Sequence, residues 1–150
     1  MRESEAPSTS VGGAEPGERR EPDSVLIQVP ADPDYLPILR AASANLGAKL
    51  GCTLSEIADL RLAVDEACGL LLRKGIRPPG GTGADHIVAR FTVDAAGLRI
   101  ALATEAAGFT SPDTDEFGWT ILTALVDELS WRVDGSTVHV EILKRQAAGR

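Results

Sequence analysis

The chain has 150 residues, 43% of them hydrophobic and 25% charged, and this length suits one domain with a single core. Its 22 acidic residues outnumber its 15 basic residues and give a net charge of −7, which argues against a nucleic acid or an anionic membrane as the partner. No apolar run approaches the roughly 18 residues of a membrane span, and the N-terminus lacks the apolar segment of a signal peptide, so a cytoplasmic location is expected.

The N-terminal segment, residues 1–22, is predicted to be a disordered arm. It is rich in Glu, Pro, Gly, Ser and Arg and has almost no large apolar side chains. Such a segment cannot bury enough surface to offset its ordering entropy. We therefore expect the folded domain to span residues 23–145, followed by a frayed tail over residues 146–150.

The first half of the domain is predicted to contain one strand and two helices. Residues 25–29 alternate as a strand does, and Pro30 ends it. Leucines recur at helical spacing over residues 33–50, and Gly51 follows them. A second helix is expected over residues 54–73.

The second half is predicted to contain two hairpins with a helix between them. In chain order the elements are a Pro/Gly loop over 77–83, strands over 86–93 and 98–104, a polar loop over 105–115, a helix over 117–129, and strands over 131–133 and 137–143, joined by an Asp-Gly turn. The order β-α-α-β-β-α-β-β implies an α+β fold: a two-layer sandwich whose mostly antiparallel sheet carries helices on one face.

The second helix carries the most informative pattern. Thr53 and Glu56 form a capping box at its start. The residues of its core stripe are Ile57, Leu60, Val64, Ala67 and Leu71. Leu62, Glu66 and Leu70 lie one turn apart on a neighbouring face. From the residues alone, Glu66 is a half-exposed carboxylate at the border of the buried stripe.

The cysteines and histidines offer no evident site. Cys52 precedes the second helix and Cys68 lies within it, sixteen residues further on; at about 1.5 Å per residue the two are more than about 20 Å apart, beyond the reach of a disulfide. His86 and His139 fall in predicted strands without acidic or cysteine partners at ligand spacing. No metal site is expected, and no G-x-S-x-G nucleophile motif appears.

Two helical segments, residues 58–68 and 118–128, together with the element order, resemble the Bergerat-type ATPase domain of histidine kinases, gyrase and Hsp90-like proteins. Within that group the chain is most similar to the anti-sigma factor serine kinases of the RsbW/SpoIIAB type, including their actinobacterial relatives. The resemblance covers about residues 24–143, and the segment from Ala58 to Cys68 is its most specific part.

The resemblance implies a nucleotide site with altered side chains. The family's glutamate, a general base toward a serine hydroxyl, falls on Glu66. Its magnesium-binding asparagine falls on Leu70, whose alkyl chain cannot coordinate a hard cation. Its adenine-reading aspartate falls on Thr104, a weaker acceptor than a carboxylate.

The glycine boxes of the family are only partly retained. In the box that begins at Thr104, the first glycine is Ala106 and the second is kept as Gly108. In the lid box, the first glycine is Glu116 and the second is Gly118. Glu116 brings a negative charge to where phosphates would lie. The Pro/Gly loop lacks the Gly-Lys-Ser/Thr of a P-loop and offers no substitute.

These positions predict weak ATP binding at best and a Mg²⁺ site that lacks its asparagine, which favours a non-catalytic protein. The first hypothesis is an anti-sigma factor that sequesters an alternative sigma factor and is released by an anti-anti-sigma protein. The alternative is an ATP-dependent serine protein kinase that phosphorylates this antagonist. A scaffold domain without a sigma partner is a third interpretation.

The resemblance also implies binding surfaces. In the family, an arginine on the first helix contacts the sigma factor and its antagonist competitively, and that position falls on Arg40. A guanidinium there suits a partner carboxylate, although a solvated arginine covering apolar neighbours is an equal alternative. Related domains pair around their first strand, so a homodimer through residues 25–29 is expected.

Overall fold

The computed structural model of the chain describes residues 22–74, 86–105 and 117–146. In chain order its elements are β1 (Asp23–Pro30), a 3₁₀ turn (Pro33–Tyr35), α1 (Leu36–Lys49), α2 (Leu54–Lys74), β2 (His86–Asp94), β3 (Gly97–Glu105), α3 (Phe117–Leu125), β4 (Glu128–Asp134) and β5 (Thr137–Arg145). The predicted element order and the α+β class are confirmed.

The five strands form one sheet in the order β1-β2-β3-β5-β4, and every neighbouring pair is antiparallel. One row of opposed residues runs from Val29 through Ile87 and Thr104 to Val138, and all four are buried. Because side chains alternate along a strand, this row marks the face that packs on the helices. The core combines that face with α1, α2 and α3.

The hairpin between β2 and β3 has a tight turn. The Asp94 carboxylate accepts the backbone N–H of Ala96 at 2.8 Å. Gly97 has a φ of 138°, and a Cβ there would lie 2.2 Å from the carbonyl oxygen of Lys144. Only glycine fits this position, since both the dihedral and the space exclude a side chain.

The capping box at the start of α2 is present. The backbone N–H of Thr53 donates to the Glu56 carboxylate at 2.8 Å, and the N–H of Glu56 donates to the Thr53 hydroxyl at 3.1 Å. α1 packs closely against α2 near Gly47, where a Cβ would lie 2.9 Å from Leu60 Cδ1. Leu60 is 1% exposed, so this close contact belongs to the core.

The predicted end of the third helix is wrong. α3 stops at Leu125, and β4 starts at Glu128 rather than at residue 131. The backbone N–H of Asp127 donates to the Leu143 carbonyl at 3.0 Å, and the Asp127 carboxylate accepts the N–H of Arg145 at 2.7 Å. These bonds tie the segment after α3 to β5 and so begin the last hairpin early.

Within the described segments, no helix is long and apolar enough to cross a membrane. Several predictions lie outside the described residues. They concern nearly all of the arm over 1–22, the loop over 77–83, most of the lid loop with Ala106, Gly108 and Glu116, and residues 147–150 of the tail.

Candidate functional site

The face of α2 that carries Glu66 changes from exposed to buried along the helix. Leu62 is 45% exposed, Glu66 is half-buried, and Leu70 is 1% exposed. Leu70 is one turn beyond Glu66, where the resemblance places a metal-binding asparagine. The structure therefore puts a desolvated alkyl chain one turn beyond the Glu66 carboxylate.

Thr104 lies on the core-facing side of β3, one residue before the strand ends. It is 3% exposed, and its hydroxyl donates to the backbone carbonyl of His86 at 2.8 Å. The hydroxyl proton is thus committed to the neighbouring strand. Only the lone pairs of a neutral oxygen remain to accept a hydrogen bond, where the resemblance implies a carboxylate.

The last residue of β3, Glu105, is held by the turn between β4 and β5. Its carboxylate accepts the Ser136 hydroxyl at 2.6 Å and the Thr137 hydroxyl at 2.5 Å. These two hydrogen bonds lower the pKa of Glu105. Sequence reasoning missed this cluster, because it depends on how two hairpins meet. It fixes the end of β3 beside Thr104.

Of the two retained glycines of the predicted site, the structure describes only one. Gly118 is half-buried in the first turn of α3, whereas Gly108 lies outside the described residues. α2 packs against α3 and also contacts β3. The elements that carry Glu66, Thr104 and Gly118 are therefore neighbours in the fold.

These side chains do not fit a magnesium–nucleotide complex. Mg²⁺ needs oxygen ligands in an octahedral arrangement, and the position one turn after Glu66 offers only the alkyl chain of the buried Leu70. Across residues 22–74, 86–105 and 117–146, no group of three His, Cys, Asp or Glu side chains could hold a metal ion.

The predicted partner residue, Arg40, is engaged within the chain. Its guanidinium nitrogen Nη1 donates to Asp65 Oδ1 at 2.5 Å, with side chains 30% and 42% exposed respectively. This ion pair joins α1 to α2 at the residue before Glu66. Its partner was not foreseen, since Arg40 and Asp65 are 25 residues apart and meet only through helix packing.

The two cysteines are free thiols, and Cys68 lies close to this ion pair. Burial, together with the nearby Asp65 carboxylate, raises the pKa of Cys68 from its ordinary 9.0 to about 12, although the Arg40 guanidinium acts in the opposite direction. A thiol in this state is a poor nucleophile at neutral pH. Cys68 is therefore part of the core rather than of a site.

Comparison with protein families matches residues 29–142 to a family described as the histidine kinase-like ATPase domain. The chain is 30% identical over 113 residues to a serine-protein kinase RsbW from Bacillus licheniformis, covering 75% of this chain and 69% of that protein. It is 31% identical over 121 residues to an anti-sigma-F factor RsbW from Mycobacterium tuberculosis, covering 79% of this chain and 67% of that protein.

A solved structure supports the fold. It contains the RsbU and RsbW domains of a Mycobacterium tuberculosis protein and superposes on 82% of this chain with a TM-score of 0.58 at 17% identity. This chain spans 32% of the solved chain, about a third of its length. At this identity the likeness concerns the fold alone.

Proposed function

The chain belongs to the RsbW-like branch of the histidine kinase-like ATPase domain family, and from this membership we propose that it is an anti-sigma factor. In this proposal it sequesters an alternative sigma factor and releases it when an anti-anti-sigma protein binds. The observation that carries the proposal is the similarity, over 121 residues, to a protein named anti-sigma-F factor RsbW. A cytoplasmic location follows from this role.

The proposed function does not use phosphoryl transfer. Transfer from ATP depends on positioning and on metal ions that neutralise charge, and the position one turn after Glu66 holds the buried Leu70. The Thr104 hydroxyl donates a hydrogen bond to the backbone carbonyl of His86, so it offers only a neutral acceptor in place of a carboxylate. Glu66 is then a remnant of the general base, retained as a half-buried helix residue.

The second candidate is a serine protein kinase acting on the anti-anti-sigma protein. It is favoured by the presence of Glu66 on α2 and by the relatives named serine-protein kinase. The two candidates share the sigma partner and differ only in chemistry. One labelling experiment therefore separates them.

The binding surfaces of the proposal are α1 and β1. Arg40 on α1 is the proposed contact with the sigma factor, because a guanidinium recognises a carboxylate through several donors. β1 is an edge strand whose Val25 and Leu26 side chains are 41% and 56% exposed. A second copy of the chain that pairs there would cover both the strand edge and these side chains.

The binding test uses the purified chain and each alternative sigma factor of its host, immobilised in turn for interferometry. We expect one sigma factor to bind and the housekeeping sigma factor, as the control, not to bind. Arg40→Ala is expected to lose about 2 kcal/mol of that binding energy, the size of an interface hot spot, with an unchanged circular dichroism spectrum. A chain that binds no sigma factor would contradict the proposed function.

The labelling test incubates the chain with radiolabelled ATP, Mg²⁺ and the anti-anti-sigma protein that releases the sigma factor. We expect no label on the antagonist, while an active RsbW kinase with its own antagonist serves as the positive control. Glu66→Gln is expected to leave sigma binding unchanged within about twofold, or about 0.4 kcal/mol. Label that appears with the wild type and disappears with Glu66→Gln would establish the kinase.

A further inference from the structure

The face of the sheet that points away from the helices contains an open cavity of about 200 Å³. Gln28, Val88 and Ala103 oppose one another across β1, β2 and β3, in the row next to the buried row that packs on the helices. Because side chains alternate along a strand, this row lies on the opposite face of the sheet. We call this space the outer-face cavity. Its lining includes Gln28, His86, Val88, Ala103, Glu105 and Thr137.

The floor of the outer-face cavity is apolar. Val88 and Ala103 lie directly opposite each other on β2 and β3, and both are half-buried. Their side chains are short, whereas those of Gln28 and His86 in the same lining are longer and polar. The cavity therefore combines an apolar surface with a few polar groups, which is the usual composition of a ligand site.

One end of the outer-face cavity carries the Glu105 carboxylate in a fixed orientation. The Ser136 hydroxyl donates to its Oε1 and the Thr137 hydroxyl donates to its Oε2, so each carboxylate oxygen accepts one hydroxyl. A carboxylate has about four acceptor positions in all. One acceptor position therefore remains on each of the two oxygens.

The negative charge of Glu105 is not balanced by these two neutral hydroxyls. In the part of the chain that the structure describes, no lysine or arginine side chain forms an ion pair with Glu105. The two hydrogen bonds, and to a lesser extent the nearby His139, lower the pKa of Glu105, so the carboxylate stays ionised at neutral pH. The cavity thus offers an oriented anion beside an apolar floor.

A guanidinium group on an aliphatic stem matches these features. The stem of an arginine covers apolar surface while its charged head stays in water, as Val88 and Ala103 beside Glu105 require. The planar guanidinium donates two parallel hydrogen bonds to the two oxygens of one carboxylate, and Glu105 has one position free on each oxygen. An ammonium group is a point charge without this fork of donors, and an anion would be repelled by Glu105.

We propose that the outer-face cavity binds a guanidinium group on an aliphatic stem, with the stem over Val88 and Ala103 and the guanidinium on Glu105. An arginine side chain of another protein and a small free guanidine both supply this chemistry. The cavity lies on the other face of the sheet from α1 and α2. The inference therefore goes beyond the proposed function and does not depend on it.

The test follows the backbone amide NMR signals of the isotope-labelled full-length chain during titration with two probes. Agmatine supplies a free guanidine, and a blocked Ala-Arg-Ala tripeptide supplies an arginine side chain. We expect the probes to shift the amide signals of Val88, Ala103 and Glu105 with a dissociation constant on the order of 1 mM. The probe that binds more tightly identifies the source of the guanidinium. The same tripeptide with neutral citrulline in place of arginine should bind about tenfold more weakly.

Two variants locate the binding site. Glu105→Gln keeps the size of the side chain and removes its charge, so it should weaken binding of the arginine tripeptide about tenfold. Ala103→Leu fills the floor of the cavity and should also weaken binding, with the circular dichroism spectrum unchanged. Glu141→Gln is the matched control, because Glu141 opposes Ala101 on the same face, lies outside the cavity lining and already pairs with Arg99 at 3.7 Å. It should bind as the wild type does.

Three results would each overturn the inference: no shifts with either probe at about ten times the expected dissociation constant, equal binding of the citrulline tripeptide, or unchanged affinity in Glu105→Gln. A loss in Glu141→Gln as large as that in Glu105→Gln would overturn it as well, since the sheet face would then attract cations without a specific site. The titrations need no sigma factor, so these outcomes leave the proposed function intact.

Discussion

Replacing Leu70 by asparagine restores the side chain implied by the resemblance, yet we expect it to destabilise the protein. Leu70 is 1% exposed, and burying a leucine side chain contributes about 1.5–3 kcal/mol. An asparagine amide at that position would lose this term and would leave polar atoms without water, at a cost of about 1–3 kcal/mol. Leu70→Asn should therefore lower the free energy of unfolding by about 3 kcal/mol or more.

Urea denaturation followed by circular dichroism measures this loss. The matched control is Leu62→Asn, two turns earlier on the same face of α2 and 45% exposed, which should cost less than about 1 kcal/mol. If the free energy of unfolding falls with urea concentration at the same slope in both variants, both expose a similar surface on unfolding, and their folded states are comparably compact. A Leu70→Asn protein as stable as the wild type would refute the reasoning, since it would mean that this position is open and polar, as a nucleotide site requires.

Three further predictions concern the fold and the assembly. Gly97→Ala should lower the free energy of unfolding, measured with urea, by more than about 2 kcal/mol, because a Cβ would lie 2.2 Å from the Lys144 carbonyl oxygen. The control is Gly135→Ala, whose Cβ would meet nothing within 4 Å and which should lower this free energy by less. The pKa of Cys68 is raised from 9.0 to about 12 in the folded chain, so the thiol ionises first in the unfolded chain and the free energy of unfolding should fall as pH rises above 9. Cys68→Ala should make this fall less steep, and an equal dependence of the unfolding free energy on pH in the wild type and the variant would contradict the prediction. Light scattering on the order of 10 μM should give a dimer mass that Leu26→Lys on β1 reduces, and a monomer mass for the wild type would exclude pairing there.

The element order could be predicted because its signals are local. The alternation of β2 and β3 and the capping box of Thr53 and Glu56 each depend on residues close in sequence, and the structure contains all of them. The Asp-Gly turn before β5 is likewise a local signal, and Gly135 has the positive φ of 65° that such a turn needs.

The boundary between α3 and β4 could not be predicted, because two patterns overlap there. Leu125 and Leu129 keep helical spacing, while Leu129, Trp131 and Val133 also alternate as a strand does. Hydrogen bonds from Asp127 to β5 decide between the two patterns. These bonds join residues far apart in sequence, and helix periodicity alone gave the wrong end.

The candidate site was only partly accessible from sequence. Local pattern and resemblance pointed to Glu66, Leu70 and Thr104, and their burial follows from the faces on which they lie. The pairing of Arg40 with Asp65 depends on how α1 crosses α2, which no local signal encodes.

Transcription in a reconstituted system tests the central claim most directly. RNA polymerase carrying the cognate sigma factor is assayed on its promoter with increasing amounts of the chain. Each assay is run with and without a non-hydrolysable ATP analogue, which would change the result only if the chain had a working nucleotide site. We predict that the chain suppresses transcription in proportion to the sigma factor it binds, equally in both conditions, and that the anti-anti-sigma protein restores it. Unchanged transcription at a saturating amount of the folded chain would contradict the account.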